Sequence, residues 1–174
     1  DLARSKINKH PNGEAFFLNV YDQFQLGQEV RNANLVISML PPNFHYPVAL
    51  ECVHYGTNLV TPSYLSPEIS ALDKQAREKD MIMLNELGVD PGIDHMSAMQ
   101  EIDRLKSEGA ELFAFESATG GLIAPGFADN PWNYKFTWNP RNVVLAGQKG
   151  ARFLHNGKFK YIPYHKIFKR YEII

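Results

Sequence analysis

Four short apolar runs, separated by stretches with helical spacing, constrain the fold more than any other feature of the sequence. They cover residues 15–20, 34–40, 58–61 and 81–84. The runs are almost uniformly apolar rather than alternating, which is typical of parallel strands covered on both faces. Strands that alternate regularly with helices predict a parallel sheet with right-handed crossovers.

Helix boundaries between these runs have local signals. Val48, Cys52 and Tyr55 recur at helical spacing, and Gly56 follows as the predicted helix end. Ser66 followed by proline indicates an N-cap and the first residue of the next helix. That helix is predicted to bury Ile69, Leu72 and Ala76.

The pattern changes after Gly92, where we place a domain boundary. Residues 1–92 are predicted to be part of a Rossmann-like domain, and residues 93–174 part of an α+β domain. In the second part we predict a helix ending at Gly109, and a half-buried strand over residues 111–118. A hairpin is predicted around Asn156-Gly157. The overall fold class is therefore α/β, followed by an incomplete α+β unit.

The ends of the predicted parallel strands are the expected ligand site. In such sheets ligands bind beyond the carboxyl ends of the strands. Here those ends lead into Leu40, into Ser63-Tyr64 and into residues 86–90. We therefore expect three loops that are distant in sequence to face one crevice.

Bulk properties exclude several classes of partner. The 174 residues carry a net charge of −1, which provides no field of one sign for nucleic acid or anionic lipid. No apolar run is long enough to span a membrane. The single cysteine, Cys52, is compatible with a reducing compartment, so we expect a cytoplasmic protein. The chain has no initiator methionine, and we expect it to be part of a longer protein.

The loop after the fourth run contains ionisable side chains that could hold a metal ion. Glu86, Asp90, Asp94 and His95 lie close in sequence. One histidine with carboxylates is a poor zinc site, so we expect no bound metal. Asp94 and His95 fit better in the first turn of the next helix, where an acid is favourable to the helix dipole.

A dinucleotide site is suggested by the strand and helix alternation, but the Gly-rich phosphate turn G-x-G-x-x-G is absent from these residues. Two alternatives to a dinucleotide-dependent enzyme therefore stay open. One is a binding module on a degenerate dinucleotide fold. The other is a metal-dependent hydrolase that uses Glu86, Asp90 and His95.

Further along, Asn139 and Pro140 are predicted to open a short helix, and Arg141 follows them. Exposed amides with an arginine make an anion site. Arg141 and Lys135 are the local cationic candidates for a carboxylate substrate.

Five sequence strings resemble the glutamate-forming saccharopine dehydrogenases. They are NLVISMLP-x2-FH, VTPSYLSPE, MLNELGVDPGIDHMSA, GGL-x-APGFADNPWNYKFTW and NPRNVVLAG, in that order along the chain. The resemblance implies an NAD- or NADP-dependent oxidoreductase of lysine metabolism. Such an enzyme interconverts saccharopine with glutamate and 2-aminoadipate 6-semialdehyde. It also implies a Rossmann domain whose first strand, Gly-rich turn and second strand are not in this chain.

The resemblance also implies roles for individual residues. Substrate contacts are expected at Ser63, Tyr64, Asp90 and Arg141, and proton transfer at Asp90, with Tyr64 and His95 as weaker candidates. The expected partner is a small amino-acid substrate, with a homodimer as a possible assembly. Cofactor contacts are expected at Asn19, Val20, Leu40, Val89, Asp90, Pro91 and Asn139.

Overall fold

The computed structural model describes residues 2–117, 123–135, 141, 148, 150–167 and 169. Its contacts divide the chain into two compact units, Asp1–Ala114 and Phe115–Ile174. The helix after Gly92 groups with the first unit on this criterion. The functional boundary near Gly92 stays a prediction.

The first unit is an α/β unit in which short strands and helices alternate. Its elements in chain order are α1 (Leu2–Ile7), α2 (Gln23–Asn32), β1 (Leu35–Ile37), α3 (His45–Tyr55), β2 (Asn58–Val60), α4 (Pro67–Ser70), α5 (Asp73–Glu78), β3 (Met83–Leu84) and α6 (Ile93–Ser107).

The three strands form one parallel sheet in the order β1-β2-β3, as the alternation predicts. Val36 lies beside Leu59, and Leu59 lies beside Met83. Because paired residues of a parallel sheet point to the same face, these three side chains share one face. All three strands run in the same direction, so their carboxyl ends lie at one edge of the sheet.

The core covers the face that carries Leu59. Leu59 is fully buried, and Val36 and Met83 pack at the margin of the core. On the other face, Ile37 and Leu84 remain 62% and 47% exposed. The expectation of strands covered on both faces is therefore wrong for this sheet in the described residues, because Ile37 and Leu84 have no described element covering them.

Helix α3 has the predicted apolar stripe and ends where expected. Val48, Ala49 and Cys52 are buried in the core, and Gly56 caps the helix in the left-handed conformation with φ of 73°. Cys52 is fully buried, and burial, followed by the charge of Glu51, raises the pKa of its thiol to about 12. The thiol is therefore packing rather than a nucleophile.

The helix predicted after Ser66 is present as two short helices, α4 and α5. Ser66 is the N-cap, and its Oγ accepts a hydrogen bond from the amide of Ile69 at 3.3 Å. The predicted stripe of Ile69, Leu72 and Ala76 is buried. A break at residues 71–72 does not change which side chains face the core.

Two of the predicted strands are wrong. Residues 15–20 are not a strand and pair with no described strand, although Leu18 and Val20 pack against the core. Residues 111–117 have no strand structure, and Phe113 is 89% exposed. A strand requires a hydrogen-bonded neighbour, and apolar composition cannot supply one.

The second unit contains the predicted hairpin. Strands β4 (Ala151–His155) and β5 (Lys158–Ile162) pair antiparallel and are followed by α7 (Tyr164–Ile167). The two turn residues, Asn156 and Gly157, both have positive φ, at 50° and 71°. This is the conformation for which Asn-Gly is favoured in two-residue hairpin loops.

The central position of Leu59 makes a direct test of the fold. We expect Leu59→Ala to lower the free energy of unfolding by about 2–5 kcal/mol, because it leaves a cavity in the core. Leu84→Ala, a matched change at an exposed position of β3, should cost less than about 1 kcal/mol. Urea denaturation measures both. Equal costs for the two variants would contradict the assignment of the covered face.

Candidate active site

The carboxyl ends of β2 and β3 lead into two loops that are hydrogen-bonded to each other. The amide of Glu86 donates to the carbonyl of Ser63 at 3.0 Å, and the amide of Leu87 donates to the carbonyl of Thr61 at 3.2 Å. The Glu86 carboxylate accepts from the amide of Leu65 at 3.1 Å. These bonds hold the loop after β3 against the loop after β2.

Tyr64 and Asp90 meet across these two loops. The Tyr64 hydroxyl donates to Asp90 Oδ1 at 3.4 Å, and both side chains are exposed. Partial desolvation of the hydroxyl, followed by the charge and hydrogen bond of Asp90, raises the pKa of Tyr64. The phenol therefore keeps its proton at neutral pH and is a hydrogen-bond donor beside a carboxylate. Strand order predicted that the loops carrying these residues would lie close together, and the contact between Tyr64 and Asp90 confirms that proximity.

The segment that carries Asp90 is a turn closed by backbone hydrogen bonds. Gly88 donates its amide to the carbonyl of Pro91 at 2.8 Å and accepts from the amide of Ile93 at 2.9 Å. Asp90 and Pro91 are joined by a cis peptide bond. Gly92 has φ of 149°, and a Cβ built there would lie 2.2 Å from the Gly88 carbonyl oxygen. A glycine is therefore required at position 92, where the loop enters α6.

Asp94 and His95 lie in the first turn of α6, as predicted. Asp94 Oδ1 accepts from the amide of Gly92 at 2.9 Å and lies 2.7 Å from Nδ1 of His95. Desolvation on its own would raise the pKa of Asp94, but the hydrogen bonds from Gly92 and His95 outweigh it and lower that pKa. The Asp94 carboxylate therefore accepts a backbone hydrogen bond at the start of α6, where a negative charge also complements the helix dipole.

The metal-dependent alternative has no support in the described residues. The Glu86 carboxylate is engaged with a backbone amide, and Asp94 with the start of α6. Within residues that the structure describes, no group of three or more histidine, cysteine, aspartate or glutamate side chains is arranged to hold a metal ion.

A buried histidine connects the ends of β1 and β2, and the sequence analysis missed it. Nδ1 of His45 lies 2.8 Å from Ser38 Oγ, and Nε2 lies 2.7 Å from Ser63 Oγ. Thr61 Oγ1 lies within 3.4 Å of both ring nitrogens. We define Ser38, His45, Thr61 and Ser63 as the hydroxyl-histidine cluster.

A signal for this cluster was present in the sequence. His45 precedes Val48, Ala49 and Cys52 by three, four and seven residues, which places it on the buried stripe of α3. A histidine on such a stripe needs hydrogen-bond partners, and hydroxyl residues follow both neighbouring strands. Burial lowers the pKa of His45, so the ring is neutral at pH 7.

The predicted cofactor residues fall into separate groups. Val20 and Leu40 line one mostly apolar groove of about 460 Å³, together with Val36 and Ser38. Val89 and Pro91 flank Asp90 in the loop after β3. Asn19 is exposed, and its side chain accepts from the amide of Tyr21 at 3.1 Å.

The second-unit candidates are described only in part. Asn139 lies outside the described residues, and Arg141 is exposed. Nζ of Lys135 lies 2.7 Å from Asp129 Oδ2, so this lysine is paired within its own loop.

None of the described helices has both the length and the apolar character that a membrane crossing needs.

The parts of the site that the chain supplies fit a nicotinamide dinucleotide. An apolar groove beside the end of β1 can accept a flat ring, and polar groups lie at the ends of β2 and β3. The described residues provide no Gly-rich cradle for the pyrophosphate.

Family models match both halves of the chain. Residues 2–84 match the model described as saccharopine dehydrogenase NADP binding domain. Residues 88–174 match the one described as saccharopine dehydrogenase C-terminal domain. The chain belongs to the saccharopine dehydrogenase family. Residues 2–84 are therefore part of a Rossmann-type NADP-binding domain, which agrees with the predicted fold class and cofactor.

Relatives of the saccharopine dehydrogenase family are similar along most of the chain. "Saccharopine dehydrogenase [NADP(+), L-glutamate-forming]" of Schizosaccharomyces pombe is 38% identical over 156 residues, 90% of this chain and 35% of the relative. The Saccharomyces cerevisiae protein of the same name is 37% identical over 91% of this chain and 36% of its own length. The mitochondrial alpha-aminoadipic semialdehyde synthase of Rattus norvegicus is 43% identical over 74% of this chain and 14% of its length.

A solved structure of the family has the same fold. The apo histidine-tagged saccharopine dehydrogenase (L-Glu forming) from Saccharomyces cerevisiae superposes with a TM-score of 0.79 and 34% identity. The similarity covers 99% of this chain and 39% of that chain. The chain thus spans little more than a third of the length of its yeast relatives.

Gly92 provides a test of the loop that carries Asp90. We expect Gly92→Ala to lower the free energy of unfolding by at least about 2–3 kcal/mol, because the added Cβ meets backbone atoms of Gly88. Gly56→Ala is the matched control, since its φ of 73° is also positive but its Cβ would meet open space. The control should cost about 1 kcal/mol. Thermal and urea unfolding compare them, and similar costs would contradict the tight Gly88 contact.

The neutral state of His45 predicts a pH dependence of stability. The unfolded chain binds a proton on this histidine near its ordinary pKa of 6.5, whereas the folded chain does not until lower pH. Stability contributed by the neutral ring is therefore present above 6.5 and falls as the pH drops below it. Urea titrations at several pH values should show a steeper decline for the wild type than for His45→Asn. Parallel curves would contradict a depressed pKa.

Proposed function

We propose that the protein containing this chain is an NADP-dependent saccharopine dehydrogenase of the glutamate-forming type. Such an enzyme oxidises saccharopine and releases glutamate and 2-aminoadipate 6-semialdehyde. The observation that carries the proposal is the contact between Tyr64 and Asp90 at the ends of neighbouring parallel strands, within a chain of this family. NADP rather than NAD is favoured by the description of the matching domain.

The reaction begins at the secondary amine that joins the two halves of saccharopine. A bound NADP⁺ supplies the hydride acceptor, and the carbon of the C–N bond loses its hydride to become an imine carbon. Water adds to that carbon, and the C–N bond of the resulting carbinolamine breaks. The nitrogen leaves with glutamate, and the carbon becomes the aldehyde.

Asp90 is the proposed acid-base group for the proton steps. It accepts the amine proton before hydride loss and releases that proton to solvent, since the side chain is exposed. It then takes a proton from the attacking water and passes it to the nitrogen, and it takes the hydroxyl proton of the carbinolamine as the C–N bond breaks and gives it to the departing amine. Tyr64 stays protonated because its pKa is raised, and its hydrogen bond orients the Asp90 carboxylate. The Asp90 carboxylate lies on a loop that is closed by hydrogen bonds of Gly88 with Pro91 and Ile93. This position supports the role, since proton transfer needs a fixed geometry.

Ser63 and Tyr64 are proposed to contact the substrate, and Arg141 to pair with one of its carboxylates. Val20, Leu40, Val89 and Pro91 are proposed to contact the cofactor, together with Asn19 and Asn139. The apolar groove beside Leu40 supports a ring contact there. A homodimer, which the family resemblance implies, and a cytoplasmic location, which the single cysteine led us to expect, remain predictions.

Turnover of the full-length protein tests the proposal. With saccharopine and NADP⁺ we expect NADPH formation and release of glutamate, followed by absorbance and by amino-acid analysis. We expect Asp90→Asn to lower kcat by about 10²-fold or more, because an amide cannot exchange the proton. Asp103→Asn, an exposed change on α6, is the matched control and should keep normal turnover. Normal turnover by Asp90→Asn would contradict the proton role.

A further inference from the structure

The hydroxyl-histidine cluster reaches the loop after β2 through Ser63. Its two short contacts join His45 to Ser38 at the end of β1 and to Ser63 at the end of β2. His45 and Ser38 are only 2% and 4% exposed, whereas Ser63 is half-buried in the loop that carries Tyr64. The cluster therefore extends from buried side chains to a partly exposed hydroxyl.

A neutral imidazole has one N–H and one bare nitrogen, so its two partners must have opposite roles. One hydroxyl donates to the ring, and the other accepts from it. Thr61 Oγ1 accepts from the amide of Ser63 at 3.3 Å, and its own proton can be shared with whichever ring nitrogen is bare, because Oγ1 lies 3.4 Å from Nδ1 and 3.2 Å from Nε2. Thr61 therefore does not decide between the two arrangements. The position of the ring proton therefore depends on which serine hydroxyl can remain without a protein acceptor for its own proton.

Ser38 cannot do so. Among the described residues its hydroxyl has a hydrogen bond to His45 and to no other group, and Ser38 is only 4% exposed where it borders the mostly apolar groove. If the ring donated to Ser38, the Ser38 proton would be buried without an acceptor, which is unfavourable. Ser38 therefore donates to Nδ1, and the ring proton is on Nε2.

We propose that His45 is a positioning residue that is held with its proton on Nε2, so that it donates to Ser63 Oγ and leaves the Ser63 proton directed to the crevice. Ser63 then offers a hydrogen-bond donor to an anionic group, and the ligand class that fits is a carboxylate. This inference rests on the proposed function for the identity of that carboxylate, which is one of those of saccharopine.

The protonation state can be measured without any substrate. Histidine labelled with ¹⁵N in the full-length protein distinguishes the two ring nitrogens by long-range ¹H–¹⁵N correlation, and His45→Gln identifies the His45 signals. We expect a protonated Nε2 and a bare Nδ1 at neutral pH. A proton on Nδ1, or on both nitrogens, would overturn the proposal whatever the enzyme turns over.

Two neutral variants of His45 separate positioning from packing. The amide of glutamine reaches the place of Nε2 and can still donate to Ser63, whereas that of asparagine reaches only the place of Nδ1, next to Ser38. We expect His45→Asn to raise the KM for saccharopine about tenfold, as Ser63→Ala does, with a much smaller change in kcat. His45→Gln should retain most of the affinity that His45→Asn loses.

The double variant completes the test. In the Ser63→Ala background, His45→Asn should cause no further rise in KM, because its effect passes through the missing hydroxyl. An additive rise, or equal losses in His45→Gln and His45→Asn, would overturn the positioning role and leave a packing role. If the wild type fails to oxidise saccharopine, the proposed function fails, but the NMR result still decides the assignment of the ring proton.

Discussion

Parallel pairing of three short strands is the constraint on which the rest of the first unit depends. Because β1, β2 and β3 run in the same direction, the residues that follow them emerge at one edge. An antiparallel β3 would have sent Asp90 to the opposite edge from Tyr64. Although the sheet is small, the common direction of its strands brings Ser38, Ser63 and Asp90 to one edge. These residues lie more than twenty residues apart along the chain.

Hydrogen bonds then convert this proximity into a defined geometry. Glu86 links the loop after β3 to the loop after β2 through both its amide and its carboxylate. His45 links the loop after β2 to the end of β1. Both links are hydrogen bonds between polar groups of neighbouring loops. A hydrogen-bond network favours a single arrangement when each of its polar groups has a partner. The exposed pair of Tyr64 and Asp90 is held by these less exposed contacts.

Sequence reasoning succeeded where local chemistry decides the outcome. Ser66 capped its helix, Gly56 ended α3, and Asn156 with Gly157 formed the hairpin turn, because each conformation is set by the residue itself. It also placed Tyr64 near Asp90, since strand direction follows from the alternation of strands and helices.

Sequence reasoning failed where a distant partner decides. Residues 15–20 have the composition of a strand, but strand formation depends on a neighbour that composition does not reveal. The role of His45 was missed because hydroxyls from three positions converge on it only after folding. Its place on the apolar stripe of α3 was visible, but the partners that make a buried histidine acceptable were not.

A crystal structure of the full-length protein with NADP⁺ and saccharopine tests the central claim most directly. The account predicts saccharopine at the carboxyl edge of the sheet, with its secondary amine within about 3.5 Å of the Asp90 carboxylate and one carboxylate accepting from Ser63. Saccharopine bound at the opposite edge, beside Thr57 at the start of β2, would contradict it.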